Sequence, residues 1–339
     1  MTSSQPFSKP PQHIAGIDLG TNTLRLLITK TGSNGRLTAV YSDQTITRLG
    51  ERVQHSGTLQ YFAMERTIQA LQHWRQILLQ HNINHPIIVA TSAVRDAKNR
   101  DEFLQRVQTD VGFTVKILSG HEEARLTLIG ITTGLTPPLT RILAIDIGGG
   151  STEFITTNNG QPDKLYSTDL GVVRLTEKFF ISDPVRDDEI SEAKHFILDR
   201  LQAVKDKIGN IEDRRLIGTA GTITTLAVMD QQLKNYDARK VHQYCIHLEA
   251  IQRIRKSCVN KTIAARRIMT GIEAGRADVI VAGILILQLI MENLGFANVF
   301  VSEFGLREGI LLDEIQKITG KNGSLELFER LHQREKQSR

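Results

Sequence analysis

One pattern occurs twice in this chain, and the spacing of its copies limits what the chain can fold into. From Ile14 a short apolar stretch reaches Asp18-Leu19-Gly20-Thr21-Asn22-Thr23 and leaves through Leu24-Arg25-Leu26-Leu27-Ile28. From Ile142 a second apolar stretch reaches Asp146-Ile147-Gly148-Gly149-Gly150-Ser151-Thr152-Glu153 and leaves through Phe154-Ile155. Each copy reads as strand, tight loop, strand. Asp18 and Asp146 stand 128 positions apart, and the same offset carries Gly20 to Gly148 and Thr23 to Ser151. Both exits arrive at an Asn-Gly hairpin signal, Asn34-Gly35 and Asn159-Gly160, before a third strand.

The offset persists downstream. Apolar residues at helical spacing over Leu59 to Gln80 are answered 128 positions later by Asp187 to Ile208. A buried strand, Ile87 to Ala90, ends in Thr91-Ser92, and its counterpart Arg215 to Gly218 ends in Thr219-Ala220-Gly221-Thr222. One element order and one offset predict a duplicated α/β domain, the two halves facing each other across a cleft lined by loops at strand ends.

The loops carry the chemistry. Three glycines in a row remove every Cβ, so backbone N–H groups can close around a phosphate. Asp146 and Glu153 flank the second loop, and two carboxylates beside a phosphate imply a hard cation, Mg²⁺ with Mn²⁺ as an alternative. A plain Gly-rich hairpin with acidic ends would explain one copy; it does not explain the second. Between the halves lies Leu118 to Gly134, a helix with Ser119 as N-cap and Glu122-Glu123 in its first turn. Acidic residues there can equally be dipole partners. Pro137-Pro138 marks the linker.

After Thr222 the pattern is mainly helical. Glu249 to Lys256 forms a basic exposed face, Arg266-Arg267 precedes an apolar helix from Gly271 to Leu294 with Arg276 near its start, and Val299 to Val301 is a short strand. A last helix runs through Ile318 and is expected to pack back on the N-terminal half. His81 and His85 bracket a loop rather than a metal site. The length accommodates two domains with real cores. Cys245 and Cys258 lack metal spacing, which fits unpaired thiols in a reducing cytoplasm. The start has no signal-peptide core and reads as a disordered lead-in, and the apolar run Val279 to Ile290 is too short to span a bilayer, so no membrane partner is expected. A net charge of +5 suits an acidic partner without implying nucleic acid; part of it lies in the tail from Arg330.

Residues 14–319 resemble the exopolyphosphatase/guanosine pentaphosphate phosphatase (Ppx/GppA) family, of the fold group of actin, Hsp70 and sugar kinases. The resemblance rests on the two loops, on Ala90 to Ala97, Ser119 to Leu126, Gly218 to Thr225, Arg276 to Ile280 and Gly305 to Gly309. Thr21 and Thr23 replace serines usual in the family, and Ala220 stands where glycine is common. The resemblance implies the short form: an actin-like (ribonuclease H-like) domain over 14–135 with a returning helix at 306–319, a second over 136–305, and flexible ends at 1–13 and 320–339.

It further implies hydrolysis of a terminal phosphoanhydride of polyphosphate or, alternatively, of pppGpp. Gly20, Thr21, Asn22 and Thr23 with Gly148, Gly149, Gly150 and Ser151 would cradle phosphates. Asp146 and Glu153 would hold Mg²⁺, Glu123 would be the base with Glu153 as second candidate, and Arg25 and Arg95 would neutralise phosphate oxygens. Gly221, Thr222 and Arg276 would line the substrate path, with Arg253, Arg255, Lys256 and Arg266-Arg267 as candidates for its wall. In the repeat Arg25 takes Glu153's place, so one half offers a cation and the other a metal ligand. An actin-like ATP-dependent switch or kinase, and a silent polyphosphate or alarmone sensor, are the rival classes; a homodimer is left open.

Overall fold

The computed structural model describes residues 11–32 and 35–325. The lead-in before residue 11, Asn34 of the first hairpin signal, and the basic tail lie outside the described residues. Two six-stranded sheets account for the repeat. In the first, β1 (His13–Leu19) pairs antiparallel with β2 (Thr23–Thr31), which pairs antiparallel with β3 (Arg36–Ile46). On the other side β1 pairs parallel with β4 (Ile87–Ala90), and β4 with β5 (Lys116–Ile117). The second sheet repeats this order: β6 (Ile142–Ile147) antiparallel to β7 (Thr152–Asn158), β7 antiparallel to β8 (Gln161–Thr168), β6 parallel to β9 (Arg215–Thr219). After β10 (Cys245–His247), β11 (Asn298–Val301) extends it from β9, and β12 (Ser324–Leu325) edges the first sheet.

Side chains alternate along a strand, and here the alternation separates two kinds of packing. Ala15, Ile17 and Leu19 face an outer core with Met64, Trp74 and Phe103 of the helices Tyr61–Gln80 and Arg100–Val111. Ile14 faces the other way, against Leu311 and Leu312 of the last helix, Leu306–Thr319. In the second sheet Leu143, Ile145 and Ile147 meet the outer helices Asp187–Ile208 and Ile280–Leu294. Ile142 and Ala144 meet Ala124, Leu128 and Ile131 of the linker helix, Gly120–Gly134. The last helix and the linker helix therefore lie between the sheets.

Those two helices touch backbone to backbone. A Cβ on Gly309 would stand 1.8 Å from the carbonyl oxygen of Leu126, and one on Gly130 would stand 2.0 Å from that of Gly305. Glycine is required at both positions for this approach.

Two expectations shift. The first long helix starts at Tyr61, because Leu59 is held out of it by Asn99, which bonds both its N–H (2.8 Å) and its carbonyl (3.1 Å). The apolar helix starts at Ile280, not Gly271: Gly271 sits at φ 89°, and Ala274–Arg276 is a separate 3₁₀ turn carrying Arg276. Among the described residues no helix is long and apolar enough to cross a membrane. Replacing Gly309 by alanine gains about 1 kcal/mol of helix propensity but forces the helices apart, at about 1–3 kcal/mol or more for an overpacked core. Overpacking wins, and Gly309→Ala should lower Tm by several degrees in thermal unfolding followed by circular dichroism.

Candidate active site

Strand parity also brings the acidic groups together. Asp18 shares a face with Ile14, and Asp146 shares one with Ile142 and Ala144, so both aspartates point between the sheets. Their cross-strand partners follow: Asp18 is opposite Arg25, and Asp146 is opposite Glu153. From the linker helix, whose N-terminus is capped by Ser119 accepting from the Glu122 N–H at 3.2 Å, Glu123 reaches the same space. Glu122, one residue earlier, turns outward and pairs with Lys116 at 2.6 Å.

The cleft between the halves is lined by Asp18, Gly20, Thr21, Asn22, Thr23, Arg25, Glu123, Asp146, Gly148, Gly149, Ser151, Gly221, Thr222 and Arg276. Glu153, Arg95 and Gly150 stand just behind this surface. Arg95 donates to Glu123 Oε2 at 3.0 Å and to the Leu118 carbonyl at 2.9 Å, an ion pair with the first carboxylate rather than a lining residue. Glu153 Oε1 accepts from Ser167 at 2.8 Å. Arg276 donates to Glu273 at 3.0 Å, and its guanidinium occupies the space a Cβ on Gly221 would need, 1.9 Å away.

The glycines of the second loop have a second reason. A Cβ on Gly149 would stand 2.7 Å from Thr21 Cβ, and one on Gly150 would stand 2.4 Å from Ser92 Oγ. The loops of the two halves are thus in direct contact, Gly149 and Gly150 of the second lying against Thr21 and Ser92 of the first, whose hydroxyls are 2.9 Å apart. Arg266 departs from the expected channel wall: it is 1% exposed and bonded to backbone carbonyls. Arg253 lies on the surface, paired to Asp230 at 2.8 Å.

Sequence reading gave no role to Asp18, Thr91, Ser92 or Ala220, all of which line the cleft. The repeat was the available signal, since Asp18 answers Asp146 and Thr91 answers Thr219. Ala220 adopts φ 72°, where alanine is strained and glycine is not. Ser167 reaches Glu153 only through the β7–β8 register, which no local motif announces.

Buried polar atoms without a partner among the described residues gather here: Asn22 Nδ2 and Thr23 Oγ1, which can donate, and Asp18 Oδ1 and Glu153 Oε2, which accept. Such atoms are costly unless a ligand takes them up. Among the described residues no group of three or more His, Cys, Asp and Glu could hold a metal ion. Mg²⁺ takes few protein ligands and completes its shell with water and phosphate oxygens, so a pair of hard carboxylates can suffice for it. Asp146 and Glu153, opposite each other across the β6–β7 register, are the pair that would hold it.

Burial is the first cause of the raised pKa at each of the four carboxylates. Asp18 is pushed up to about 6, against the pull of Arg25 and with the push of Asp146. Asp146 is also pushed up to about 6, with Arg25 opposing. Glu153 goes to about 7, Asp146 adding to burial, and Glu123 is driven well above the usual range by burial and then Glu153, with Arg95 opposing. A carboxylate whose folded pKa lies above its unfolded one binds protons more tightly when folded. The cost of ionising it is therefore felt above the folded pKa and fades as pH falls towards the unfolded value. Glu153→Gln should stabilise the metal-free protein at pH 8 by about 1–3 kcal/mol, since one pKa unit is about 1.4 kcal/mol. The gain should shrink towards zero by pH 5, read as the difference in Tm between variant and parent across that range.

The comparisons with known proteins agree with this geometry. Residues 27–318 match the model of the Ppx/GppA phosphatase family. Exopolyphosphatase 2 of Mycobacterium tuberculosis is 33% identical over 312 residues, 88% of this chain and 97% of that protein. A guanosine-5'-triphosphate,3'-diphosphate pyrophosphatase of Pseudoalteromonas atlantica is 26% identical, over 92% of this chain and 60% of that protein. The crystal structure of an exopolyphosphatase from Cytophaga hutchinsonii superposes with a TM-score of 0.84 at 31% identity, covering 92% of this chain and all of that one. Two facing domains of one topology, with paired Asp-x-Gly loops at their junction, are the actin-like architecture, and the chain belongs to the Ppx/GppA phosphatase family.

Proposed function

We propose that this protein is an exopolyphosphatase, releasing orthophosphate from the end of inorganic polyphosphate by attack of water. The observation that carries this reading is that two buried donors, Asn22 Nδ2 and Thr23 Oγ1, and two buried carboxylate oxygens, Asp18 Oδ1 in the cleft lining and Glu153 Oε2 just behind it, have no hydrogen-bond partner among the described residues. A terminal phosphate accompanied by a divalent cation satisfies both sets at once. The family match and the relatives named exopolyphosphatase support the same reaction.

In this mechanism the loops Gly20–Thr23 and Gly148–Ser151 bind the terminal phosphates through N–H groups and hydroxyls. Arg25 and Arg276 offset their charge from the two sides. Asp146 and Glu153 would hold Mg²⁺, which would supply charge neutralisation at the phosphoryl oxygens. Glu123 orients the water and accepts its proton as the water oxygen bonds to phosphorus and the bridging P–O bond breaks. Burial and the neighbouring Glu153 hold its pKa above the usual carboxylate range against the pull of Arg95, which makes it a stronger base than a solvated carboxylate. In this reading Arg95 tunes and holds the base rather than touching phosphate.

Phosphate release from long polyphosphate, tripolyphosphate, pppGpp and ATP, measured side by side with Mg²⁺, tests the assignment. Long polyphosphate should be turned over fastest; faster turnover of pppGpp at equal concentration replaces this reading with that of a pppGpp phosphohydrolase, the activity named for the Pseudoalteromonas relative. Glu123→Gln should lower kcat at least about a hundredfold with KM and Tm little changed; near-parental turnover would remove Glu123 from the base role. Arg276→Ala should raise KM for long polyphosphate more than for tripolyphosphate, because only the longer chain extends beyond the terminal site. Equal losses on both would confine Arg276 to the reacting phosphate.

A further inference from the structure

Arg266 is the largest charged side chain in the buried set, and nothing in the mechanism uses it. It is the penultimate residue of the short helix Ile263–Arg267, is 1% exposed, and among the described residues donates to backbone carbonyls alone. Nε donates to Lys261 O at 3.0 Å and Cys258 O at 3.1 Å, and Nη1 donates to Ala277 O at 2.9 Å. Nη2 finds no hydrogen-bond partner among the described residues, and Asp183 approaches it only to 4.0 Å. Burying a guanidinium with an incomplete set of partners is unfavourable on its own account. The question is what the arrangement secures.

The three carbonyls answer it. Cys258 belongs to the last turn of the helix Leu248–Val259, and its carbonyl also accepts the Lys261 N–H at 3.2 Å, so Arg266 bonds to a helix end that is itself held. Ala277 lies between Arg276, which lines the cleft, and Asp278, which pairs with Arg48 of the other half at 2.8 Å. The turn that carries Arg276 is only three residues long, closed by the Arg276 N–H on Glu273 O at 2.8 Å. A single 3₁₀ turn does not hold its own geometry. We propose that Arg266 is a positioning residue for Arg276: its guanidinium fork clamps the Ala277 carbonyl to the end of the Leu248–Val259 helix and so fixes where Arg276 enters the cleft. This rests on the reading of Arg276 as a phosphate ligand. A lysine ammonium brings a point charge without the planar fork, so it cannot reproduce donors aimed at carbonyls from two directions.

The experiment is a double-mutant cycle with long polyphosphate as substrate, in Arg266→Met, Arg266→Lys, Arg276→Ala and Arg266→Met with Arg276→Ala. Arg266→Met should raise KM about tenfold while kcat changes less than about threefold, and Arg266→Lys should recover part of the loss. The double variant should bind no worse than Arg276→Ala alone, because Arg266 acts through Arg276. Losses that multiply in the double variant overturn the proposal while leaving Arg276 a ligand. A parental KM in Arg276→Ala with a raised KM in Arg266→Met overturns the ligand reading of Arg276 and this inference with it. Should Arg266→Met not fold, hydrogen exchange over 273–279 in Arg266→Lys decides the matter: faster exchange there is expected, and parental exchange overturns the clamp.

Discussion

Four carboxylates, Asp18, Glu123, Asp146 and Glu153, are buried within one another's fields, and the rest of the molecule is built to tolerate that. Each resists ionisation because burial removes the water that would stabilise its charge, and each makes its neighbours harder to ionise. Arg25, Arg95 and Arg307 offset part of the cost, but three guanidinium groups do not neutralise four acids. The cleft is left under strain, a deficit that the proposed cation and phosphate would relieve. The apolar layers on both outer faces and the two helices packed between the sheets hold that strain in place.

Duplication explains how such a cluster arises from an ordinary scaffold. Both halves present an aspartate at the end of their first strand and a residue opposite it on the second. Because the sheets face each other, these positions meet. The copies differ where chemistry needs them to: position 25 is arginine and its counterpart 153 is glutamate, in the same register against equivalent aspartates. A symmetric frame with identical residues would give an all-acid or a half-neutral centre. The exchange of one charge sets an Asp18–Arg25 pair on one sheet against an Asp146–Glu153 pair on the other.

The sequence made the element order, the repeat and most of the lining legible, because these follow from local periodicity and from an offset that any pair of motifs reveals. Asp18 and Asp146, the two loops, Glu123 and Arg276 are all found this way. What it left obscure depends on contacts between distant segments. Gly149 and Gly150 read as room for phosphate, whereas Thr21 and Ser92 of the opposite loop already fill the space their Cβ atoms would take. Arg95 reads as a phosphate ligand from its motif, and only the packing of the linker helix brings Glu123 to it. Arg266 reads as a candidate for the wall of the substrate path beside Arg267, because nothing in one dimension distinguishes a guanidinium buried on backbone carbonyls from one that faces a channel.

The two halves are joined in two energetically different ways. At the back, Gly130 and Gly309 let the linker and last helices touch through their backbones, an apolar contact that exposed charge cannot replace. At the rim, Arg48 pairs with Asp278 at 2.8 Å, the Arg52 N–H donates to Glu177 at 2.7 Å, and Arg174 reaches Asp96 at 2.8 Å. Arg48 keeps 38% of its side chain exposed, and pairs of that kind contribute about 0–1 kcal/mol each. Overpacking the helix contact costs more than breaking any one rim pair. The rim therefore yields first when the halves separate, and the buried helix pair is where motion between them is resisted. Arg276, carried on a three-residue turn beside Asp278, sits on the yielding side, while Glu123, in the first turn of the linker helix, sits on the fixed side. The proposed base is thus carried by the buried helix pair, and the proposed ligand Arg276 by the rim, where the Arg266 clamp supplies the rigidity that the short turn lacks.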